Sequence, residues 1–460
     1  MIILGTNSIK DTGYDVANSL RFNDGSSDTL TKSFSSSGNR RTWTFSVWFK
    51  LGLVPAASRL FSIGNDASGA IFSIFFTAGD LRIEDVQGDP VTLEFRTDQI
   101  FRDPSAWSNL VFACDTTQGT NTNRFKIYHN GTQITSFSTE TYPSENADTL
   151  VNYTTGSATI GARAASPSNT YFDGYMSEVV MIDGQQLAPT SFGEFDSDSN
   201  IWKPIDVSGL TFGTNGFYLD FENSGALGND AAGSNNFTVN NLTAIDQSLD
   251  TCTNNSCVIN PLSIASNGQG AATLSNGNLT ITSTGSTQNS GTFAPSIDSN
   301  SKWYYEFKCG TGATNIDSGV GWGTDVSAFR SGTFADLNSL FLYTADGRIY
   351  GTSGWTSAGT AATYTNGDII GCTVDLENNQ IKWYKNNSLA FTISSISFVG
   401  DVITPYSQFA QSGAIGSFNF GSPPFAISSG NTDGNGYGNF EYAVPSGFYS
   451  INTKNLAEYG

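Results

Sequence analysis

The chain of 460 residues contains one histidine, His129. That shortage removes the usual means of moving protons near neutral pH, where imidazole is the side chain whose unperturbed charge changes. No Ser-His-Asp, Cys-His, HExxH or P-loop arrangement occurs. His129 closes the apolar run Phe125–Tyr128 beside Asn130-Gly131 and reads as a polar residue flanking a turn. Charged residues make up only 13%, and long Glu/Lys-rich helical patterns are missing, which argues against a helical fold. No run reaches the roughly 20 apolar residues that a membrane-spanning helix needs, so membrane insertion is not expected. The stretch Met1–Asn7 has neither a basic region nor a long apolar run, so a secretory signal is not expected there. Lys and Arg number 21 against 41 Asp and Glu, a net charge of −20. A chain this acidic repels phosphate backbones, and nucleic acid is not expected as a partner. Of the five cysteines, Cys114, Cys309 and Cys372 sit in strand-like runs and read as small buried hydrophobes. Cys252 and Cys257 lie in an Asn-rich loop, where a short disulfide and two free thiols are both open; no second Cys or His pair accompanies them as metal ligation would require.

What the chain has in quantity is aromatic and turn-forming residues. Thirty-three Phe and eighteen Tyr suit pleated surfaces, and abundant Gly, Ser, Thr and Asn supply turns. The fold class expected is all-β, with two β-sandwich domains. In Thr42–Lys50, Trp43, Phe45, Val47 and Phe49 alternate with Thr44, Ser46 and Trp48, the period of a strand. Further short strand-like runs, separated by Gly/Asn turns, continue to Ile182 and suggest a sandwich or jelly roll. Later, Ile369, Cys372 and Val374 lead through Glu377-Asn378-Asn379 into Ile381, Trp383 and Lys385, a hairpin whose turn residues tolerate positive φ. The reading divides the chain into an N-terminal arm (1–17), a first sandwich (18–188), a connecting segment with added strands (189–262), a second sandwich (263–425) and a tail (426–460) whose aromatics argue against pure disorder.

Four stretches of the first sandwich, Trp43–Phe49, Trp107–Phe112, Lys126–Gly131 and Phe172–Val179, follow in an order that resembles LamG-like, concanavalin A-type jelly rolls. In the second, the hairpin, Ser301-Lys302-Trp303-Tyr304-Tyr305-Glu306-Phe307, Val320-Gly321-Trp322-Gly323, Ile403–Tyr406 and Ser417–Phe425 resemble the SPRY domain, a bent β-sandwich used for binding. The arrangement as a whole, with its Pro445–Leu456 tail, is similar to structural proteins of marine tailed bacteriophages. These resemblances imply a non-enzymatic virion surface protein, a tail fibre or adhesin that binds host-surface glycans. It would contact other virion proteins, form a homotrimer, and be assembled in the host cytoplasm and released by lysis. The alternatives are a capsid decoration or tail-assembly component, and a polysaccharide depolymerase.

The site candidates follow from that frame. Trp355, in a loop flanked by Gly and Ser, and nearby Tyr350 are candidates for stacking on a sugar. Asp230-Ala-Ala-Gly233-Ser-Asn235 resembles a LamG-type turn in which Asp230 and Asn235 would hold calcium, the one cofactor considered; an ordinary Asx turn is the other reading. Glycoside hydrolysis needs two carboxyl groups about 5–10 Å apart. Glu194, Asp196 and Asp198 would share a face if their segment were a strand, but it runs on into Ser199-Asn200 and reads as a polar loop.

Overall fold

The computed structural model describes residues 13–53, 58–65, 69–88, 91–154, 156–164, 170–266, 272–293, 295–314, 318–324, 340–351, 357–398 and 400–460. It is nearly all β, and Thr453–Tyr459 is the one α-helix among the described residues. The chain forms two compact units, Thr12–Thr253 and Asn254–Gly460.

The first unit is a sandwich of two antiparallel sheets. Sheet I has the order Thr132–Gln133, Phe125–His129, Ser108–Asp115, Thr42–Leu51, Gly174–Asp183, Ser19–Phe22, Gln247–Ser248, with Phe217–Leu219 also paired to Gly174–Asp183. Sheet II runs Phe137–Thr141, Leu93–Ile100, Asp80–Val86, Ala70–Thr77, Ser58–Asn65, Ser157–Ile160, Thr29–Ser33, Thr238–Asn240. The alternation read in Thr42–Lys50 is realised. Trp43, Phe45, Val47 and Phe49 enter the core between the sheets, where Phe45 stacks on Phe61 at 4.8 Å. Each such Phe contributes roughly 1.5–3 kcal/mol by leaving water.

Sheet I is covered on its other side as well. Trp48 packs there with Trp107, Tyr175, Trp202 and Val16, and Val180 and Ile182 pack with Phe192, Val207 and Tyr218. The 189–253 segment therefore joins the first unit: it adds Phe217–Leu219 and Gln247–Ser248 to sheet I and Thr238–Asn240 to sheet II. A fully buried ion pair sits under this cover, Lys50 Nζ 2.8 Å from Asp250. The Trp107 indole N–H donates to the same carboxylate at 2.9 Å, which supplies the extra hydrogen bonding a buried charge needs.

The second unit also layers two sheets. Sheet III is Ala265–Ser266, Thr287–Ser290, Thr404–Phe409, Gly319–Gly323, Leu340–Thr344, Arg348–Tyr350, Ser357–Thr360. Sheet IV is Ala272–Ser275, Thr280–Ser283, Ile415–Asn419, Lys302–Cys309, Ile369–Asp375, Gln380–Lys385, Ser388–Ile393. The hairpin pairs Val374 with Ile381 and Cys372 with Trp383, and Asn379 takes φ 50° in its turn. Trp303, Trp322 and Trp383 are fully buried. Gly321 is required where it stands, because a β-carbon there would run into the Phe341 carbonyl. The 426–460 tail folds onto the outer side of sheet IV, where Phe440 and Phe448 cover Tyr304. All five cysteines are buried free thiols, so of the two readings of Cys252 and Cys257 the disulfide is not formed.

Candidate binding sites

In Asp80–Val86, Leu81 and Ile83 face the core, so Arg82 and Glu84 must project from the opposite, outer side of sheet II. The register then builds two rows across that face. One holds Arg59, Phe75, Arg82 and Arg96; the other holds Thr159, Ser62, Ser73, Glu84 and Glu94. The Arg59 guanidinium lies over the Phe75 ring at 4.5 Å and 4.0 Å from Glu84. Arg96 Nε donates to Asp80 at 2.7 Å. Arg82 stands directly opposite Arg96 and, among the described residues, makes no ion pair or hydrogen bond; its Nε is buried. Burial raises the pKa of Glu84, while Arg59, Arg163 and Arg82 pull it back down. Ser62 Oγ donates to the Ala162 carbonyl at 2.8 Å and accepts from Ala164 N–H at 2.6 Å. Ser73 is fully buried and its hydroxyl has no hydrogen-bond partner among the described residues.

The second unit carries an open groove of about 570 Å³, lined by Ile297, Asp298, Asn378, Asn379, Ser395, Ile396, Ser397 and Phe398. The hairpin turn forms one wall. Asp375 fixes it by accepting from Asn378 N–H and from its side-chain amide, both at 2.9 Å. The Asn379 carbonyl accepts from Ile396 N–H at 2.9 Å, which ties the two walls together.

Trp355 lies outside the described residues. Tyr350 is not a loop residue: it ends the strand Arg348–Tyr350, is buried, and its hydroxyl accepts from Arg348 Nη1 at 3.0 Å, so its ring offers no open platform. The Asp230 carboxylate accepts main-chain N–H groups from Tyr218 (2.9 Å), Ala232 (3.0 Å) and Asn235 (2.9 Å). Asn235 turns its amide to the Thr214 and Gly216 carbonyls. Both Asp230 oxygens are thus engaged by the backbone in an Asx-type turn, and the described residues contain no His/Cys/Asp/Glu group that could hold a metal ion. His129 contacts Gln99 through Nδ1 at 2.9 Å and packs edge-on against Phe101; burial lowers its pKa to about 4.

Glu194, Asp196 and Asp198 do not share a strand face. The strand Gly193–Phe195 ends before Asp196, which accepts from Ser199 and from Asp198 N–H in a turn, and these hydrogen bonds lower its pKa. Lys203 lies 3.3 Å from Glu194 and 3.6 Å from Asp196. A carboxylate held ionised in this way is a poor proton donor.

One titratable group escaped the sequence reading. Glu178 sits at a bulge in Gly174–Asp183 with φ 49°. Its buried carboxyl accepts from the Tyr218 hydroxyl at 2.9 Å and from Tyr14 at 3.3 Å. Burial is the main cause that lifts its pKa to about 8. The alternation of the strand gives no sign of this, because a bulge breaks the period that sequence reading relies on.

Residues 23–187 match the family model described as the concanavalin A-like lectin/glucanases superfamily, and residues 302–423 match the SPRY domain. No curated protein matches the chain. Among solved structures, the SPRY domain of human HERC1 is 20% identical, with 35% of this chain and 96% of that chain covered at a TM-score of 0.28. The heptameric SAP-like pentraxin of Limulus polyphemus is 14% identical, covering 38% and 80%, at 0.28. Domains LG4-5 of the mouse laminin α1 chain are 12% identical, covering 88% of each, at 0.30.

Proposed function

We propose that this chain is a non-enzymatic binding protein whose first unit takes saccharides on the outer face of sheet II. The observation that carries the reading is the group of accessible charged side chains where the two rows meet solvent, Arg82 opposite Arg96 and, beside them, Glu84 opposite Glu94. Sugar hydroxyls both donate and accept, and guanidinium donors beside carboxylate acceptors answer both needs. The match of residues 23–187 to a superfamily named for lectins supports it. The reading extends to a particle-surface role: a bacteriophage adhesin or tail fibre, homotrimeric, exposed on the virion and freed by lysis. A head-decoration or tail-assembly role is separated from it by antibody labelling of intact particles.

A second reading, glycoside hydrolysis, is favoured by one observation: Glu84, with its raised pKa, stands directly across from Glu94. A glycan array probed with the full chain tests the first reading, and reducing-end release from each bound polysaccharide tests the second. Binding without release is the expected result. Release that disappears in Glu84→Gln would establish the enzyme instead, and an array with no bound saccharide would remove both.

A further inference from the structure

We propose that the groove of the second unit is a saccharide site of its own, separate from sheet II, and that it takes a neutral oligosaccharide. It does not rest on the sheet II reading, and either can fail without the other. Three observations carry it. The first is what the groove leaves unused. Asp298 stands in the short turn Ile297–Ser299, Asn379 at the tip of the hairpin, and Ser395 and Ser397 on the opposite wall. All four residues are exposed. Among the described residues their side chains have no hydrogen-bond or ion-pair partner. A carboxylate, an amide and two hydroxyls offer both acceptors and donors, the two roles that every sugar hydroxyl needs filled.

The second observation is that the main chain around the groove is already spent. Ile396 N–H donates to the Asn379 carbonyl, Asn378 N–H to Asp375, and Ile297 N–H to the Asp401 carbonyl at 3.1 Å. An extended peptide gains affinity by adding main-chain hydrogen bonds to a free edge, and these groups are not free. What remains is a set of side chains around a concavity of about 570 Å³, a size typical of small-ligand sites. That lining selects a compact ligand rich in hydroxyls over an extended peptide.

The third is the groove's ring and its charge. Phe398 is half-buried and held edge-on by the fully buried Phe341, with ring centroids 5.7 Å apart. A ring fixed in this way offers apolar surface to the C–H face of a sugar. No Lys or Arg lines the groove, and Asp298 is the one charged residue that does. Glu377, in the hairpin turn, is held by Lys302 at 2.8 Å. A carboxylate or sulfate on the ligand would therefore meet Asp298 with nothing to balance it, and the chain's net charge of −20 adds to that repulsion.

The experiment is a calorimetric titration of the full chain with neutral trisaccharides of glucose, galactose and mannose, and with trigalacturonate as the charged control. Binding of at least one neutral trisaccharide is expected, at least about tenfold tighter than trigalacturonate. Asp298→Ala and Asn379→Gly should each weaken it about tenfold. Neither should move the melting temperature: the Asp298 carboxylate holds nothing in the fold, and glycine keeps the φ of 50° at position 379. Either variant carries the test if the other folds poorly. Arg82→Ala, on sheet II, should leave this binding unchanged. Binding that persists in both groove variants, or that disappears in Arg82→Ala instead, overturns the inference and leaves the sheet II reading standing. No binding of any neutral trisaccharide overturns it as well, while the glycan array still decides sheet II. Tighter binding of trigalacturonate overturns the neutral ligand. A peptide array bound by the full chain and lost by both groove variants, with no trisaccharide bound, overturns the saccharide and gives the groove to a peptide.

Discussion

Glu178 adopts a left-handed backbone conformation that a residue with a β-carbon takes only at some cost, and the bulge around it aims its carboxyl at Tyr218 and Tyr14. Its pKa rises from 4.5 to about 8, and that of Asp173, buried beside Asp24 and Asp28, rises from 3.8 to about 8. An acid whose folded pKa is raised keeps a proton that the unfolded chain has already released. Folding therefore takes up protons between pH 4 and 8, and the stability that these two groups contribute is full below pH 4 and falls as pH climbs to about 8. His129 works in the opposite sense: with a folded pKa of about 4 against 6.5, it lowers stability as pH falls through that window. The melting temperature should drop between pH 6.5 and pH 8.5. In Glu178→Gln, where the amide keeps a hydrogen-bond acceptor for Tyr218, that drop should shrink. Thermal melts of the two proteins across the range check this; an unchanged drop in the variant would show that Glu178 does not hold its proton. Residue type alone disclosed little here. Burial of Trp43, Cys114, Cys309 and Cys372 followed from the strand pattern, but the protonation of Glu178 depends on its burial at a bulge, which outweighs the opposing hydrogen bonds from two tyrosines 164 and 40 positions away in the chain.

At the scale of the element, the strand Lys302–Cys309 shows what alternation reveals and what it hides. Trp303, Tyr305 and Phe307 point into the second sandwich, as the period of two requires. Tyr304 and Glu306 must then emerge on the other side, where a simple sandwich would leave them in water. Instead Glu306 is fully buried and accepts from Tyr442 N–H (2.8 Å), Glu441 N–H (3.0 Å), Asn419 Nδ2 (3.0 Å) and the Tyr304 hydroxyl (3.1 Å). The tail's part was hidden because Phe440, Val444 and Phe448 recur every fourth residue, across Glu-Tyr-Ala and then Pro-Ser-Gly, with no strand period. Glu306→Ala should strip these donors of their acceptor and destabilise the second unit by at least about 2 kcal/mol, since each unmet buried donor costs about 1–3 kcal/mol. Denaturant unfolding of the full chain measures it; a loss below about 0.5 kcal/mol would mean that the tail is not held through this carboxylate.

For the whole molecule, the expected architecture of two sandwiches stands, and both candidate surfaces lie on features that a single sequence does not display: a register across five strands, and loops brought together by a hairpin turn. Of the site candidates, Tyr350 is buried at a strand end, and Asp230 and Asn235 serve the backbone of their own turn, because residue type alone says nothing of what covers a side chain. The cover on sheet I makes a further prediction. A fragment of residues 12–253 should fold cooperatively, whereas one ending at Ala188 should aggregate, because it uncovers Trp48, Val180 and Ile182. Solubility and circular dichroism of the two fragments decide it; a soluble, folded shorter fragment would show the segment to be dispensable.

The sealed thiols carry a last consequence. With Cys114, Cys252, Cys257, Cys309 and Cys372 all unbridged and shut away from solvent, nothing in the described architecture waits on an oxidant, an isomerase or a particular glutathione level. The polypeptide can reach its final shape in a reducing interior and keep it unchanged in aerated surroundings.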